Sequence, residues 1–514
     1  MLLFDKAEVL LEDGCYEAQA ENCGYRLSDI HITAKEDGGI LVSGGSTPVC
    51  EIRLTVKNTY FDGDALVLGD AWERAYGDLC WQKPEYAKKL PWYFIACEAE
   101  KIYGFGVKTL PNSLCCWQCD GNMITLNIDV RNGRNGIALN GRTIEACRIV
   151  TGEFEGDAHK AACEFCVMMC DRPAIVNRPI FGGNDWYCNY GDNSFDKIIT
   201  HTRRIAQCAS GCEHKPYMVI DDGWELCHSG EEGDGYFNGG PWRYCNGNFP
   251  DMKTTAEEIE RAGAIPGIWL RPLWSVEKLP PESILKREGI KVTLDPSSPI
   301  VIDMVKKDIM TVCEWGYKLI KHDFSTFDIF GGWGFEMKDG LLVREGEFFD
   351  KTKTNAEIVK NLYYAIREAA GDDVLIMGCN TISHLSAGIF DIQRTGDDTS
   401  GIDWERTKKY GINTLAFRMA QHNAFYCADA DCVGITGNIG FDKNRQWLDV
   451  LSKSGTALFV SIAEDAYTDE VKEAVTQAFK RADENRSVSY PLDWMENTTP
   501  SVWKSAYGTD EYCW

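Results

Sequence analysis

Three short apolar segments of the sequence end in aspartate residues. These are Asp221 and Asp222 in the first segment, Asp323 in the second, and Asp397 and Asp398 in the third. Paired carboxylates cleave glycosidic bonds, one acting as a nucleophile and the other as an acid and then a base. Parallel barrels carry their active sites at the C-terminal ends of their strands. The pattern therefore predicts a sugar-cleaving site at the mouth of a barrel.

From residue 179 onward, predicted strands alternate with amphipathic helices. The strands are expected at Ile180–Gly183, Tyr217–Ile220, Ile265–Leu270, Tyr317–Lys321, Val374–Gly378, Ile389–Gln393, Cys432–Ile435 and Ala457–Ile462. Helices are expected at Phe195–Gln207, Lys253–Ala262, Val301–Glu314, Asn355–Ala370 and Asp469–Ala482. Eight strands alternating with helices over roughly 300 residues are typical of a (β/α)8 TIM barrel.

The first part of the chain is β-rich instead. Apolar and polar residues alternate in four segments, at Ile30–Ala34, Gly39–Ser43, Glu51–Val56 and Met123–Val130. Turn residues separate these segments, which favours an antiparallel β-sandwich. We expect three parts: an N-terminal β-sandwich over 1–172, a catalytic barrel over 173–485, and a short C-terminal segment, 486–514, packed on the barrel.

Composition narrows the classes of partner. The chain has 514 residues, 44% of them hydrophobic, and a formal net charge of -25. Such acidity argues against nucleic acid or an anionic membrane as a partner and suits a neutral small substrate. The N-terminus lacks a basic region before an apolar one, and no apolar stretch reaches spanning length. A cytoplasmic protein is expected.

The 22 cysteines raise the question of a metal site. Two CxxC pairs could form a four-cysteine zinc site, Cys116 with Cys119 and Cys163 with Cys166. Cys163, Cys166 and Cys170, however, have the spacing of the buried stripe of a helix expected from Asp157 to Cys170. Reduced core thiols are therefore favoured, and neither a metal nor another cofactor is expected. His322 and His384 are interpreted as wall residues rather than general bases.

Taken in order, the motifs resemble the α-galactosidase clan of glycoside hydrolases (clan D, families twenty-seven and thirty-six, melibiase-like). The matching stretches are Asp221-Asp222-Gly223-Trp224, Lys321-His322-Asp323, Arg394-Thr395-Gly396-Asp397, Phe249–Lys253 with Ile265–Trp269, and Ala428–Gly434. The resemblance implies a retaining α-glycosidase of the α-galactosidase type, acting on an oligosaccharide or glycoside with a terminal α-linked galactose-type sugar.

The resemblance also implies roles for individual residues. Asp323 would attack the anomeric carbon, and Lys321 would keep it ionised and hydrogen-bond the sugar. Asp397 would protonate the leaving oxygen and later activate water. The predicted substrate-binding residues are Asp221, Asp222, Trp224, Lys321, Arg394, Trp186, Trp269, Cys379 and Asn380, with the tryptophans offering apolar faces to the pyranose.

Several assignments stay open at this point. Asp398 competes with Asp397 for the role of the acid. Asp429 and Asp431 suit a structural role as well as a sugar-binding one, and Asp185 could touch the sugar or only cap a helix.

Departures from the resembled pattern leave the glycone open as well. His322 stands where the clan commonly carries an aromatic residue between lysine and aspartate. The stretch Gly378–His384, which includes Cys379 and Asn380, differs from the clan's segment that reads the 2-substituent. An α-N-acetylgalactosaminidase or another α-glycosidase therefore remains an alternative.

Two other functions compete with hydrolysis. A transglycosylase would use the same nucleophile with an acceptor site, for which Trp242, Trp274 and Trp333 are available. A non-catalytic carbohydrate-binding protein would need no nucleophile–acid pair.

Insertions at 230–247 and 330–346 could form a subsite or the contact of a homo-oligomer. Tyr76, Trp81 and Trp92 could border the site or belong to the core.

Overall fold

Eight parallel strands close into a barrel in the computed structural model, which describes residues 4–21, 24–228, 238–287, 293–337, 346–484 and 488–514. The barrel strands are β17 (Phe181–Asn184), β18 (Tyr217–Ile220), β19 (Ile265–Leu270), β20 (Leu319–His322), β21 (Leu375–Gly378), β22 (Ile392–Arg394), β23 (Cys427–Ile435) and β24 (Ala457–Ile462). β17 pairs in parallel with both β18 and β24, which closes the ring.

Helices surround the barrel. They are α2 (Trp186–Asn189), α3 (Phe195–Cys208), α4 (Met252–Arg261), α5 (Pro299–Glu314), α6 (Ser325–Phe330), α7 (Asn355–Ala370), α8 (Ser383–Ser386), α9 (Trp404–Arg406), α10 (Thr414–Arg418), α11 (Phe441–Ser454) and α12 (Asp469–Glu484). Short 3-10 turns lie at Pro281–Ser283, Gly334–Glu336 and Met419–Gln421, and a π-helical stretch covers Thr407–Asn413.

The long helices begin where their sequences supply caps. Thr354 and Glu357 form a capping box at the start of α7, in which each side chain accepts from the other residue's backbone N–H. Ser194 and Asp251 accept from backbone N–H groups in the first turns of α3 and α4. Such caps satisfy donors that have no partner within the helix.

Two antiparallel sheets precede the barrel and form the N-terminal sandwich. One has the order β10-β13-β14-β8-β1-β2 and the other the order β3-β4-β5-β6-β16-β12-β11-β9, with β15 and β7 paired separately. Their strands are β1 (Lys6–Leu11), β2 (Gly14–Glu17), β3 (Gln19–Glu21), β4 (Gly24–Leu27), β5 (Ile30–Ala34), β6 (Gly39–Ser43), β7 (Pro48–Val49), β8 (Glu51–Lys57), β9 (Leu66–Gly69), β10 (Leu90–Pro91), β11 (Tyr93–Glu98), β12 (Lys101–Val107), β13 (Leu114–Cys119), β14 (Met123–Asp129), β15 (Ile137–Ala138) and β16 (Thr143–Glu155). Helix α1 (Ala158–Met169) follows them.

Buried polar contacts join the sandwich to the barrel. Arg418 on α10 pairs with Asp70 at 2.9 Å, and both side chains are almost fully buried. Lys360 on α7 donates to the Leu110 carbonyl at 2.8 Å, and burial lowers the pKa of its amine to about 8. Paired buried charges fix geometry, because moving either partner leaves an uncompensated charge. The sandwich is therefore held in a defined position against the barrel.

A small sheet ends the chain. It consists of β25 (Tyr490–Pro491), β26 (Val502–Ser505) and β27 (Gly508–Glu511). Lys453 on α11 pairs with Asp510 at 2.9 Å, and the Tyr512 hydroxyl donates to Asp449 on the same helix at 2.8 Å. These contacts attach the sheet to the outside of the barrel.

The predicted fold class is confirmed, since a closed parallel barrel follows antiparallel sheets. Five barrel strands differ from their predicted bounds. The bounds of β17, β20 and β21 differ by one or two residues, whereas β23 begins at Cys427 rather than Cys432 and β22 covers Ile392–Arg394 rather than Ile389–Gln393. β23 shows a register shift between Asp429 and Cys432, so the strand continues through residues whose carboxylates suggested a loop. Irregular pairing of this kind re-aims side chains near active sites.

The cysteines considered for zinc lie on two separate elements. Cys116 and Cys119 are buried on β13, whereas Cys163 and Cys166 lie on α1 and Cys170 caps its end. Among the described residues, no group of three or more His, Cys, Asp or Glu side chains could hold a metal ion. None of the helices in the described ranges is long and apolar enough to cross a bilayer.

Residues 230–237 of the first predicted insertion, 230–247, and 338–345 of the second, 330–346, lie outside the described residues. Trp92 belongs to the core, because it is fully buried and its indole N–H donates to the Trp72 carbonyl at 3.1 Å. Trp81 is also buried and packs edge-on against Trp494. Tyr76, in contrast, lies near the barrel mouth.

Candidate active site

Asp323 follows directly after β20 and is enclosed by hydrogen-bond donors. The Trp269 indole N–H donates to one carboxylate oxygen at 3.1 Å, and the Phe324 backbone N–H donates to the other at 2.7 Å. Phe324 adopts the left-handed region with φ 61°, which turns its N–H back toward this carboxylate. Burial raises the pKa of Asp323, but the charges of Lys321 and Arg74 and these hydrogen bonds outweigh burial and lower it. Asp323 is thus an ionised carboxylate in an enclosed site.

Lys321 lies two residues before Asp323 and points into the barrel. Its amine is 2.7 Å from an Asp221 oxygen, to which the Asn184 side chain also donates at 2.7 Å. Burial lowers the pKa of Lys321, but the charge of Asp221 raises it by more. The pKa of Lys321 therefore lies well above its usual range. Lys321 therefore supplies a permanent positive charge beside Asp323.

Asp185 supports this arrangement from behind. One of its oxygens accepts from the Asp221 backbone N–H at 2.7 Å, and the other accepts from the Asn189 amide at 3.0 Å. Burial raises the pKa of Asp185 to about 6. The side chain is 1% exposed, so it orients Asp221 rather than opening onto the mouth.

Asp222 lies beside Asp221 and is also buried. It accepts from the Asn238 amide at 2.8 Å, and the Asn238 oxygen accepts from Arg271 at 2.7 Å. Glu225 is fully buried nearby, and burial followed by the charge of Asp222 raises its pKa well above the usual range. A protonated Glu225 can share a proton with Asp222, which limits the cost of two neighbouring carboxyl groups.

The three predicted sugar-facing tryptophans differ in exposure. Trp186 is half-buried and packs edge-on against Tyr190. Trp269 and Trp224 are almost fully buried, and the Trp224 indole N–H donates to the Trp269 carbonyl at 3.0 Å. Trp224 thus holds the strand end that carries Trp269, and its contact with a sugar stays a prediction.

Arg394 lies at the end of β22 among three carboxylates. Its Nε donates to Asp429 at 3.1 Å, one Nη lies 2.9 Å from Asp431 and the other donates to Asp398 at 3.2 Å. Burial lowers the pKa of Arg394, but these carboxylates raise it well above the usual range. Asp429 and Asp431 therefore fix Arg394 in place, and Asp431 also accepts from the Thr399 N–H at 2.8 Å.

Asp397 and Asp398 follow Arg394 and are the more exposed carboxylates of the site. Their side chains are 20% and 40% exposed. Arg74, from the N-terminal sandwich, lies 2.7 Å from Asp397 and 3.8 Å from Asp398. Burial raises the pKa of Asp398 to about 6; Arg74 and Arg394 oppose this rise, and the charges of Asp397 and Asp431 add to it. A carboxyl group with this pKa can both give and take a proton near neutral pH.

Cys379 and Asn380 follow β21 and are buried. The Asn380 oxygen accepts from the Phe327 N–H at 3.0 Å, and its amide donates to Glu73 of the sandwich. The Cys379 thiol lies 3.9 Å from an Arg74 nitrogen, and burial raises its pKa well above the usual range. The thiol is therefore neutral and lies beside Arg74.

The sequence motifs did not reveal Arg74, Glu73 and Asn184. Arg74 and Glu73 lie in a stretch of aromatic and charged residues, Trp72–Tyr76, within an otherwise β-rich region. That stretch carries no spacing that would connect it with a barrel. Asn184 closes a strand and precedes Asp185, so its polar side chain at a strand end was the available signal.

The wider fold agrees with the resemblance seen in the motifs. No family model matches the chain. The structure of an α-galactosidase from Thermus thermophilus in complex with p-nitrophenyl α-D-galactopyranoside has a TM-score of 0.63 and 15% sequence identity, and the match covers 99% of each chain. A GH36 α-galactosidase from Geobacillus stearothermophilus, in complex with 1-deoxygalactonojirimycin, has a TM-score of 0.62 and 13% identity over 98% of this chain and 79% of that one.

The α-galactosidase from Lactobacillus brevis has a TM-score of 0.63 and 13% identity, covering 97% of this chain and 76% of that one. The chain has the fold of these α-galactosidases. At such identities the likeness concerns architecture, and the chemistry has to be argued from the site.

Proposed function

We propose that this protein is a retaining α-glycosidase of the α-galactosidase type, which hydrolyses terminal α-linked galactose-type sugars by double displacement. One observation carries the proposal. An ionised, donor-enclosed Asp323 and a partly exposed Asp398 whose pKa is about 6 share one barrel mouth. Two carboxyl groups with opposite protonation preferences are what retaining glycoside cleavage requires.

The first step forms a covalent intermediate. The Asp323 carboxylate attacks the anomeric carbon while the bond from that carbon to the leaving oxygen breaks. The acid carboxyl gives its proton to the leaving oxygen, so the aglycone departs as a neutral alcohol. The Trp269 indole N–H and the Phe324 backbone N–H hold Asp323 in line, and the charge of Lys321 keeps it ionised. In retaining enzymes the nucleophile and the acid are typically about 5 Å apart.

The second step returns the enzyme to its starting state. The acid, now a carboxylate, removes a proton from water, and the resulting nucleophile attacks the anomeric carbon from the face that the aglycone left. The ester bond to Asp323 breaks and its electron pair returns to the carboxylate. Two inversions leave the sugar with its original α configuration.

Asp397 and Asp398 both remain possible acids, and their surroundings favour Asp398. Asp397 has Arg74 as a close ion-pair partner at 2.7 Å. Asp398 has more distant positive partners and greater exposure, at 40%. The proposal therefore gives the proton to Asp398 and keeps Asp397 as the alternative that the motif spacing suggested.

The proposed sugar-binding residues line the opposite side of the mouth. Asp221 and Asp222 would accept from sugar hydroxyl groups, and Trp186 would cover an apolar face of the ring. Arg394 would reach the sugar only with its carboxylate partners in place. The region around Cys379 and Asn380 would select the substituent at the 2-position of the sugar and so decide whether galactose is the glycone.

Hydrolysis of 4-nitrophenyl glycosides tests the class and the nucleophile together. The panel includes α-galactose, α-N-acetylgalactosamine, α-glucose and β-arabinopyranose donors, with β-linked galactose as a stereochemical control. We expect turnover of one α-linked sugar by the wild type and a loss of about 10⁴-fold or more in Asp323→Asn. Asp303→Asn, at an exposed position on α5, is the matched control and should match the wild type. If the wild type hydrolyses none of these donors, the proposed enzyme class is wrong.

Azide rescue assigns the acid. With an activated aryl donor, an acid/base variant still forms the intermediate, and azide attacks it to give the α-glycosyl azide. A nucleophile variant with azide would give the β-glycosyl azide instead. We expect the α product from Asp398→Ala, and its formation by Asp397→Ala alone would move the role to Asp397.

Transfer to a sugar acceptor is the second candidate reaction. Trp333 is half-buried over the Arg74 guanidinium and Phe335 is 52% exposed, so the two rings offer apolar faces to an acceptor. Trp242 and Trp274, which the sequence also suggested, are buried. Product analysis with and without added galactose-containing acceptors distinguishes transfer from hydrolysis.

The cytoplasmic location and a homo-oligomeric state stay predictions.

A further inference from the structure

A loop of the N-terminal sandwich, Trp72–Tyr76, pairs with the segment that carries the acid pair. The Ala75 N–H donates to the Thr395 carbonyl at 2.8 Å, and the Asp397 N–H donates to the Ala75 carbonyl at 3.0 Å. Between these bonds lies Gly396, where an added Cβ would fall 2.0 Å from the Tyr410 carbonyl oxygen. The loop therefore sets the backbone position of Asp397 through two hydrogen bonds.

Glu73 anchors the same loop on the barrel. Its carboxylate accepts from the Gly334 N–H at 2.9 Å, and also from the Tyr76 hydroxyl and the Asn380 amide. The Ser383 hydroxyl donates to the Glu73 carbonyl at 3.1 Å. With Glu73 fully buried, the loop and Arg74 within it are held in one place.

Arg74 extends from this loop into the mouth. The guanidinium lies 5.1 Å from the Trp333 ring centroid and 5.7 Å from that of Tyr76. Its side chain is 6% exposed, and one nitrogen lies 2.7 Å from Asp397. Aromatic rings around a cation restrict it without neutralising it, so the full charge of Arg74 acts on the carboxylates.

Other charges face the pair from the neighbouring elements. Arg394 at the end of β22 and Asp431 on β23 both face Asp398, and Arg406 on α9 lies 3.8 Å from Asp397. Across the mouth, the charge of Arg74 also lowers the pKa of Asp323. Arg74 thus acts on the proposed nucleophile and on both candidate acids.

Resting on the function proposed above, we propose that Arg74 is a positioning residue that pairs with Asp397 and leaves the transferable proton on Asp398. Arg74 forms its close ion pair with Asp397, and the loop that carries Arg74 also hydrogen-bonds the Asp397 backbone. Asp398 lies beyond direct hydrogen-bond reach of the guanidinium, at 3.8 Å. The N-terminal sandwich therefore sets the division of roles between two neighbouring carboxyl groups.

The pH dependence of kcat/KM tests this role. Arg74→Met removes the charge and keeps the length of the side chain. Because Arg74 lowers the pKa of both Asp323 and Asp398, its loss should move both limbs of the profile to higher pH, by about half a unit or more. We expect kcat/KM at the wild-type optimum to fall about 10- to 100-fold. Arg74→Lys, which keeps the charge, should restore the limbs and part of the rate.

Arg445→Met is the matched control, because it removes one positive charge from the outer helix α11. Its profile should superimpose on that of the wild type. A purely structural role for Arg74 would lower the rate while both limbs stay in place, and that result would overturn the inference. Circular dichroism identifies a variant that fails to fold, in which case Arg74→Lys and Arg74→Gln take its place.

Infrared titration of the carboxyl groups gives a second readout that needs no turnover. Asp185 and Asp398 both have a pKa of about 6, so we expect two carboxyl groups to titrate near pH 6 in the wild type and only Asp185 to do so in Asp398→Asn. The band lost in Asp398→Asn should persist in Asp397→Asn and move to higher pH in Arg74→Met. Disappearance of that band in Asp397→Asn, or an unmoved band in Arg74→Met, overturns the inference. If the wild type hydrolyses no donor, the proposed function fails, and the infrared result still decides the role of Arg74.

Discussion

The two sides of the barrel mouth are built differently. On the nucleophile side, Lys321 pairs with Asp221, and these two side chains are 7% and 4% exposed, while Asp323 accepts from Trp269 and Phe324. On the acid side, Asp397 and Asp398 are 20% and 40% exposed and depend on Arg74 from the sandwich. A carboxylate that must stay ionised is thus enclosed by fixed donors. A carboxyl group that must exchange a proton lies near water between competing charges.

Removing Lys321 should have the largest effect and should break the nucleophile side alone. In Lys321→Met, Asp323 loses the positive charge that lowers its pKa most, so its pKa rises and the acidic limb of the kcat/KM profile moves to higher pH. We expect kcat/KM to fall about 100- to 1,000-fold. The measurement is hydrolysis of the active 4-nitrophenyl donor from pH 4 to 9.

Lys318→Met serves as the matched control, since Lys318 is exposed just before the same strand. It should leave the profile unchanged. A Lys321→Met profile with its acidic limb in the wild-type position would contradict the assignment of Lys321 as the residue that keeps Asp323 ionised.

The same difference explains how much of each side could be predicted from the sequence. Lys321 and Asp323 lie on one strand end, two residues apart, so their proximity is local and the motif reveals it. Asp221 joins them because parallel strands end at one edge. Arg74 reaches Asp397 only through the docking of the sandwich, a contact between residues distant in sequence that no local spacing encodes.

The strands show the same limit. β18 and β19 have the predicted bounds because buried parallel strands read as continuous apolar runs. β23 was predicted too short because Asp429 and Asp431 interrupt its apolar run. Those carboxylates remain in the strand because Arg394 pairs with both of them. Local polarity suggested a loop, whereas a buried ion pair between neighbouring strands permits the strand.

The contact between the sandwich and the barrel offers a second way to separate the two sides. Arg418 pairs with Asp70, donates to the Thr395 carbonyl at 3.0 Å and donates to the Ser383 hydroxyl at 2.7 Å. Arg418→Met leaves Asp70 as a buried, unpaired charge and should lower the free energy of unfolding by about 3 to 5 kcal/mol. Urea unfolding followed by fluorescence measures the change.

The same variant should damage the acid side selectively, because Thr395 lies two residues before Asp397. A weakened acid slows substrates with poor leaving groups more than those with good ones. We expect Arg418→Met to lose more activity on a disaccharide than on the 4-nitrophenyl donor. The double variant Asp70→Leu with Arg418→Met should recover part of the stability, since no charge stays unpaired. Equal losses on both substrates would indicate a general defect and contradict the separation.

The smallest expected effect concerns the back of the nucleophile strand. His322 alternates with Lys321 and points away from the mouth, edge-on to Tyr363 and Phe390. Within the described residues neither of its ring nitrogens has a hydrogen-bond partner, and burial lowers its pKa to about 3. An imidazole in an aromatic cluster is neutral when folded and becomes protonated on unfolding once the pH falls below about 6.5.

This difference makes stability depend on pH. Between the folded pKa of about 3 and the unfolded value of about 6.5, the unfolded chain binds the extra proton, so stability falls as the pH falls through this window. His322 alone should account for a loss of about 2 kcal/mol between pH 7.5 and pH 5. His322→Phe, which places an aromatic ring where the resembled clan commonly has one, should remove that part of the loss.

Thermal unfolding at pH 5 and pH 7.5 measures the effect, with His31→Phe at a half-exposed position as the control. Other buried histidines, such as His201 and His384, also have pKa values lowered by burial to about 4, so part of the acid sensitivity should persist in His322→Phe. The variant should retain the wild-type acidic limb of kcat/KM, because His322 lies behind the strand whereas Lys321 faces the mouth. A shifted limb would mean that the ring behind the strand acts on Asp323, and the nucleophile side would then be less self-contained than its contacts indicate.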